Sequence, residues 1–167
     1  LVETAQQQIE DMLKPVEIVV DLQNKKLMIS NTPIKMPAKN LAIYALLLLI
    51  KIDGNTEEDS LKGYVLADKL LEEKTLRTYL SIYQQMYDEK NTYVLNEKKK
   101  IDDLKKRVEF YSAKWLQESR SKINSELRKN LPPHVFNLCQ IESVGERYNI
   151  QYGVPIDSAN IQFENQG

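Results

Sequence analysis

Apolar residues at spacings of three and four (Val2, Ala5, Ile9, Met12) predict a helix over Leu1–Leu13 that is already under way at the first residue. Pro15 closes it, since proline cannot continue helical hydrogen bonding. The pattern then shortens to alternation. Val16, Ile18 and Val20 interleave with Glu17 and Val19, Gln23-Asn24-Lys25 reads as a turn, and Leu27-Met28-Ile29 is a second apolar run. This predicts a short β-hairpin. Asn31-Thr32-Pro33 breaks it, and Ile34-Lys35-Met36 adds a third short strand. Pro37 opens a helix at the position where its missing N–H costs nothing. That helix runs to about Ile52 and stops at Asp53-Gly54-Asn55. Leu41, Ile43, Tyr44 and Leu46–Ile50 surround it with apolar side chains, which predicts a buried central helix.

Thr56–Asp59 reads as an acidic loop, followed by a short helix around Leu61, Tyr64, Val65 and Leu71. Leu76, Tyr79, Leu80, Tyr83, Met86 and Tyr87 fall on one stripe at helical period, an amphipathic helix whose tyrosines suit a half-buried core face. Thr92–Leu95 reads as a brief extended piece. From Ile101 to Asn130 the helical signal is continuous but its phase is not. Ile101, Leu104, Val108, Tyr111 and Trp115 share one face, while Leu116, Ile123, Leu127 and Leu131 share another, rotated by roughly 100°. Two helices meeting near Ser112–Ser119 are the favoured reading, a kink the alternative. Pro132-Pro133 stops the helix. The tail reads as β: Phe136–Ile141, a turn at Gly145, Arg147–Tyr152, then Ile156–Phe163.

The chain has 167 residues, 42% of them hydrophobic, enough to close one core. The longest apolar run, Leu41–Ile50, is about half a membrane span, so no transmembrane helix and no membrane partner are expected. There is one cysteine, Cys139, and one histidine, His134. A disulfide framework and a multi-histidine metal site are therefore excluded, no cofactor is implied, and a reducing cytoplasm fits. No basic segment followed by an apolar one opens the chain, so no signal peptide is read. The first residue is Leu1, and the opening helix has no start signal. Residues 1–14 accordingly read as a linker helix continuing from a preceding domain, and 15–167 as the domain proper.

Net charge is −1, but it is unevenly spread. Residues 98–129 carry eleven basic against five acidic residues, between flanks that are both net negative. No catalytic set emerges. Five scattered glycines build no phosphate loop. His134 and Cys139 lie five residues apart in what reads as one strand, without an orienting partner for a nucleophile–base pair. Asp102-Asp103 and Glu57-Glu58-Asp59 sit in exposed-looking charged context and lack a second ligand group for a metal.

Two stretches resemble the OmpR-type winged-helix effector domain. Ile34-Lys35-Met36-Pro37 followed by Leu41-Ala42-Ile43-Tyr44-Ala45-Leu46-Leu47 is similar to that family's strand, turn and first helix, although Lys39-Asn40 stands where a glutamate is usual. Ser121-Lys122-Ile123-Asn124-Ser125-Glu126-Leu127-Arg128-Lys129-Asn130-Leu131, then Cys139-Gln140-Ile141-Glu142-Ser143-Val144-Gly145-Glu146-Arg147-Tyr148-Asn149-Ile150, is similar to its recognition helix and wing. The wing turn is one residue shorter here, and the residues at about 56–100 form a helical insert foreign to that family. Over nearly the whole chain, Leu1-Val2…Ala5-Gln6, Val19-Val20-Asp21-Leu22, Leu41–Leu47, Ser121-Lys122-Ile123-Asn124 and Tyr148…Ile150…Tyr152-Gly153 together resemble one particular group. It is the C-terminal part of CRISPR-associated antiviral-defence proteins that join a CARF sensor domain to a winged helix. That resemblance implies a mostly α fold with small β-hairpins, a winged helix-turn-helix with a helical insert. It also implies a preceding domain that binds cyclic oligoadenylate and that, in relatives, acts as a ring nuclease.

The expected function is a nucleic-acid-binding or regulatory module with no catalysis of its own. The face opposite Leu116, Ile123 and Leu127 displays Lys114, Ser121, Lys122, Ser125 and Lys129, with Arg128 at its edge and Arg147 near the wing tip. Lysines and arginines release counterions from phosphates, and serines donate to phosphate or base edges of DNA or RNA. Glu118 and Glu146 oppose this. The alternative keeps the fold without the DNA, as a homodimerisation scaffold for the sensor domain with the tyrosine stripe as its interface. A third reading gives the chain a supporting part in the parent protein's nuclease chemistry.

Overall fold

The computed structural model describes residues 2–54, 62–87, 95–96, 99, 108–145 and 150–164. In chain order these form α1 (Val2–Leu13), β1 (Ile18–Asp21), β2 (Lys26–Ile29), β3 (Thr32–Ile34), α2 (Ala38–Asp53), β4 (Val65–Leu66), a 3₁₀ turn (Ala67–Leu71) and α3 (Glu73–Met86). There follow α4 (Val108–Asn130), α5 (Pro133–Cys139), β5 (Glu142–Val144), β6 (Gln151–Gly153), a second 3₁₀ turn (Ser158–Asn160) and β7 (Ile161–Glu164). The class is α+β, with helices packed on two small sheets.

The first sheet has the order β3-β2-β1-β7. Ile18 and Val20 point inward and are fully buried, as the alternation predicts. The β2–β3 connection is a two-residue turn in which Ser30 and Asn31 both take positive φ (47° and 67°), the primed geometry that matches strand twist. The third strand therefore starts two residues earlier than the sequence suggested. Pro33 does not break it, because β3 is an edge strand and needs no N–H on its free side. Nothing in the local pattern indicates how the sheet closes. β7 from the far end of the chain pairs in parallel with β1, Ile18 opposite Ile161 and Val20 opposite Phe163.

The second sheet has the order β4-β6-β5. Val65 and Leu66, read from sequence as part of a short helix, instead pair with Tyr152 and Gln151 of β6, and the 3₁₀ turn begins only afterwards. A two-residue strand exists only through its partner, so local pattern could not reveal it.

α2 is the central helix. Pro37 precedes it in extended conformation, and Gly54 ends it at φ 64° with its N–H donating to the Ile50 carbonyl. Asn40–Leu48 are all buried. The Tyr44 hydroxyl donates to the Cys139 carbonyl at 2.7 Å, tying α2 to the end of α5. The predicted tyrosine helix is α3, and its stripe is core: Tyr79, Ile82, Tyr83 and Met86 are buried in the same apolar cluster as α2.

Two further expectations are corrected. Val108–Asn130 is one helix of 23 residues, not two. It contains no proline or glycine, so a change in the phase of its apolar positions has nothing to break it. The segment after Pro132 is helical rather than a strand. Pro133 occupies a first-turn position, and Val135, Phe136 and Cys139 fall on one buried helical side. Thr56–Asp59, Thr92–Val94, 101–107 and Arg147 lie outside the described residues.

Candidate nucleic-acid interface

α4 has two unlike sides. Leu116, Ile123 and Leu127 are 1%, 0% and 0% exposed, and they seat the helix in the core. Ser121, Lys122, Ser125, Arg128 and Lys129 are all exposed on the other side, together with Glu118. Lys122 and Lys129 are seven residues apart, about 10 Å along the axis at ~1.5 Å per residue. Lys114 lies on the same helix about two turns before Lys122, and its side chain is outside the described set.

The cations on this face are not equivalent. Lys129 Nζ approaches Glu126 at 3.7 Å, an exposed pair that holds it only weakly. The Arg128 guanidinium lies over the Phe136 ring of α5 at 4.7 Å, a cation–π contact that restricts it at the last turn of the helix. Arg128 and Lys129 also oppose the negative end of the helix dipole, so part of their role is local. Lys122 has neither tie among the described residues.

The β5–β6 hairpin is attached to the opposite side of the same helix. Asn124, only 9% exposed, accepts the Ile141 N–H at 2.8 Å through Oδ1 and donates through Nδ2 to the Ile141 carbonyl at 3.0 Å. Arg120 Nε donates to that carbonyl at 2.9 Å. From the other flank, the Tyr64 hydroxyl donates to Glu142 at 2.5 Å. Burial, then the Glu142 bond and charge, push the Tyr64 hydroxyl well above its ordinary pKa. Gly153 is required beneath that ring, since a Cβ there would sit 2.7 Å from Tyr64 Cγ. Sequence reasoning missed these clamps. The one available signal was a polar Asn124 on the same side as Ile123 and Leu127.

His134 and Cys139 do not form a catalytic pair. On helix α5 they point about 140° apart, and Cys139 is fully buried, with burial pushing its thiol up to about 12. Among the described residues no group of three or more His, Cys, Asp or Glu could hold a metal. No described helix is long and apolar enough to cross a membrane. A groove of about 380 Å³ opens where the α4–α5 corner meets the ends of β1 and β2, lined by Val19, Met28, Leu131 and His134 among others. No described buried side-chain polar atom lacks a partner, so none is left aimed into that groove.

Comparison with protein-family models, curated proteins and solved structures finds no match for this chain.

Proposed function

We propose that this chain is a winged-helix module that binds duplex nucleic acid through the exposed face of α4. We further propose that it is the non-catalytic C-terminal part of a CRISPR-associated protein whose preceding CARF domain senses cyclic oligoadenylate. The observation that carries the reading is the order of the second sheet. A helix (α2), a strand (β4), two further helices (α3 and α4), the short α5 and a hairpin (β5–β6) follow one another, and the lone strand pairs with the second hairpin strand. We read that order as a winged-helix plan, in which the last long helix would enter a groove. Here that helix leaves Ser121, Lys122, Ser125 and Lys129 to solvent.

We take a duplex as the partner because the described exposed face of α4 offers lysines and serines. Single strands are held by stacking bases on exposed aromatic rings. The large apolar side chains exposed among the described residues are Ile9, Ile52, Leu95 and Leu138, none of them aromatic. The homodimer alternative loses its proposed interface, because Tyr79 and Tyr83 are packed inside the chain. The deciding experiment is anisotropy of a labelled DNA duplex titrated with the protein at low salt and again at rising salt. Binding that weakens log-linearly with salt supports the reading. Absence of binding to duplex DNA, duplex RNA and single strands alike overturns it.

A further inference from the structure

Asn124 and Arg120 stand one helical turn apart on α4, on the side turned away from Lys122 and Ser125, and both bond to the backbone of Ile141. The Asn124 carboxamide meets Ile141 as a strand would, accepting its N–H and donating to its carbonyl. Arg120 Nε fills the second acceptor site of that carbonyl. Ile141 is fully buried and immediately precedes β5, so the hairpin begins at a fixed height on α4.

A polar carboxamide on an apolar helix side is costly unless bonded. Leucine at 124 would pack there, but it would leave a buried N–H without its partner. The helix does not need Asn124 to stay seated, since Leu116, Ile123 and Leu127 already do that. What the pair adds is direction. An apolar contact tolerates sliding, whereas paired hydrogen bonds to the N–H and carbonyl of one residue do not.

We propose that Asn124, assisted by Arg120, is a positioning residue for nucleic-acid binding. It locks the β5–β6 hairpin to α4 so that helix face and hairpin meet the duplex as one rigid surface. This rests on the function proposed above. Neither side chain touches the nucleic acid; both act through Ile141.

The test combines amide hydrogen exchange at Ile141 with the salt dependence of binding to a labelled random-sequence DNA duplex, well below each variant's unfolding midpoint. Asn124→Ala is expected to exchange the Ile141 amide faster and to give a salt slope shallower by about 0.9 for each phosphate contact the freed hairpin loses. Asn124→Asp keeps the acceptor for the Ile141 N–H and is expected to recover most of that slope. A residue that only stabilises the fold would lower the midpoint and leave the slope of the folded protein unchanged. Should Asn124→Ala fail to fold, Arg120→Lys decides, because it keeps the charge but loses the Nε geometry and is expected to show a smaller change of the same sign. Wild-type binding with unchanged slope and affinity in the folded variant overturns the assignment alone. Wild-type protein that binds no duplex overturns the proposed function together with it.

Discussion

The two long helices of the core, α2 and α4, solve opposite problems. In α2 nine consecutive residues, Asn40–Leu48, are buried, so every side of the helix is occupied by its own chain. In the described part of α4 the buried apolar residues Leu116, Ile123 and Leu127 lie on one side, and Glu118, Ser121, Lys122, Ser125, Arg128 and Lys129 stand in the open on the other. Folding accounts for Asn40–Leu48 of α2. Among the described residues of α4 it accounts for the buried side, and the exposed side is surface that packing within the chain does not explain. The proposed function rests on that contrast, and it is open to measurement.

The largest effect is expected in α2. Leu48 is fully enclosed, and Leu48→Ala should cost about 2–5 kcal/mol through lost transfer energy and the cavity left behind. Denaturant unfolding checks it; an unchanged midpoint would mean that α2 is not the stability-determining helix. Next comes the contact between α2 and α5. Tyr44→Phe removes the fully buried hydroxyl that donates to the Cys139 carbonyl, and about 1–3 kcal/mol should be lost because that carbonyl is left without this donor. If Tyr44→Phe unfolds at the wild-type midpoint, the hydrogen bond is replaceable and the α2–α5 tie is apolar only.

A pH experiment sharpens the same contact. Burial raises the Cys139 thiol from 9.0 to about 12, so between those values the unfolded chain releases a proton that the folded chain retains. Stability from this group is complete below about pH 9 and falls as pH rises toward 12, with a limiting slope of about 1.4 kcal/mol per pH unit. Tyr44 and Tyr64, both raised by burial, add to the fall above pH 10, the ordinary tyrosine value. Cys139→Ala should flatten the part of the alkaline limb between pH 9 and 10. A limb that keeps its shape there would show that the thiol is reached by solvent.

How much of this was legible in the sequence follows the same contrast. α2 was plain, because ten apolar residues in a row leave few alternatives, and so was α3 with its regular tyrosine spacing. The exposed positions Lys122, Ser125 and Lys129 followed from the period of Leu116, Ile123 and Leu127 once that face was taken as buried. What stayed hidden were features whose cause is remote in sequence. β4 is two residues long and exists by pairing with β6 some 85 positions later. β7 closes the first sheet onto β1 across more than 140 positions. Phe136–Ile141 misled because Phe and Ile suit a strand by propensity, while the tertiary setting gives Phe136–Cys139 a helical turn against α4. Asn124 carried a visible oddity, a polar residue on an apolar side. Its partner, the backbone of Ile141, has no side-chain signature to read.

The smallest effect on stability, and the sharpest on function, belongs to the exposed side of α4. Replacing Lys122 and Lys129 together by alanine removes no buried contact, and the only described ion pair it breaks is the exposed Lys129–Glu126 approach at 3.7 Å. The unfolding free energy should stay within about 0.5 kcal/mol of wild type. Duplex binding should respond differently. With Lys114, Lys122, Arg128, Lys129 and Arg147 as four or five phosphate contacts, log affinity against log salt should have a slope of about −4, and the double substitution should flatten it by about 2. The two lysines need not contribute equally. Lys129 must leave Glu126 to meet a phosphate, whereas Lys122 has no such tie among the described residues, so Lys122→Ala alone should take the larger share. Arg128→Ala serves as the internal contrast, because it also strips the cation from the Phe136 ring and should lower the unfolding midpoint while it weakens binding. A slope unchanged in the double variant would return these lysines to the role of solvated surface, and α4 would then differ from α2 only in being less buried.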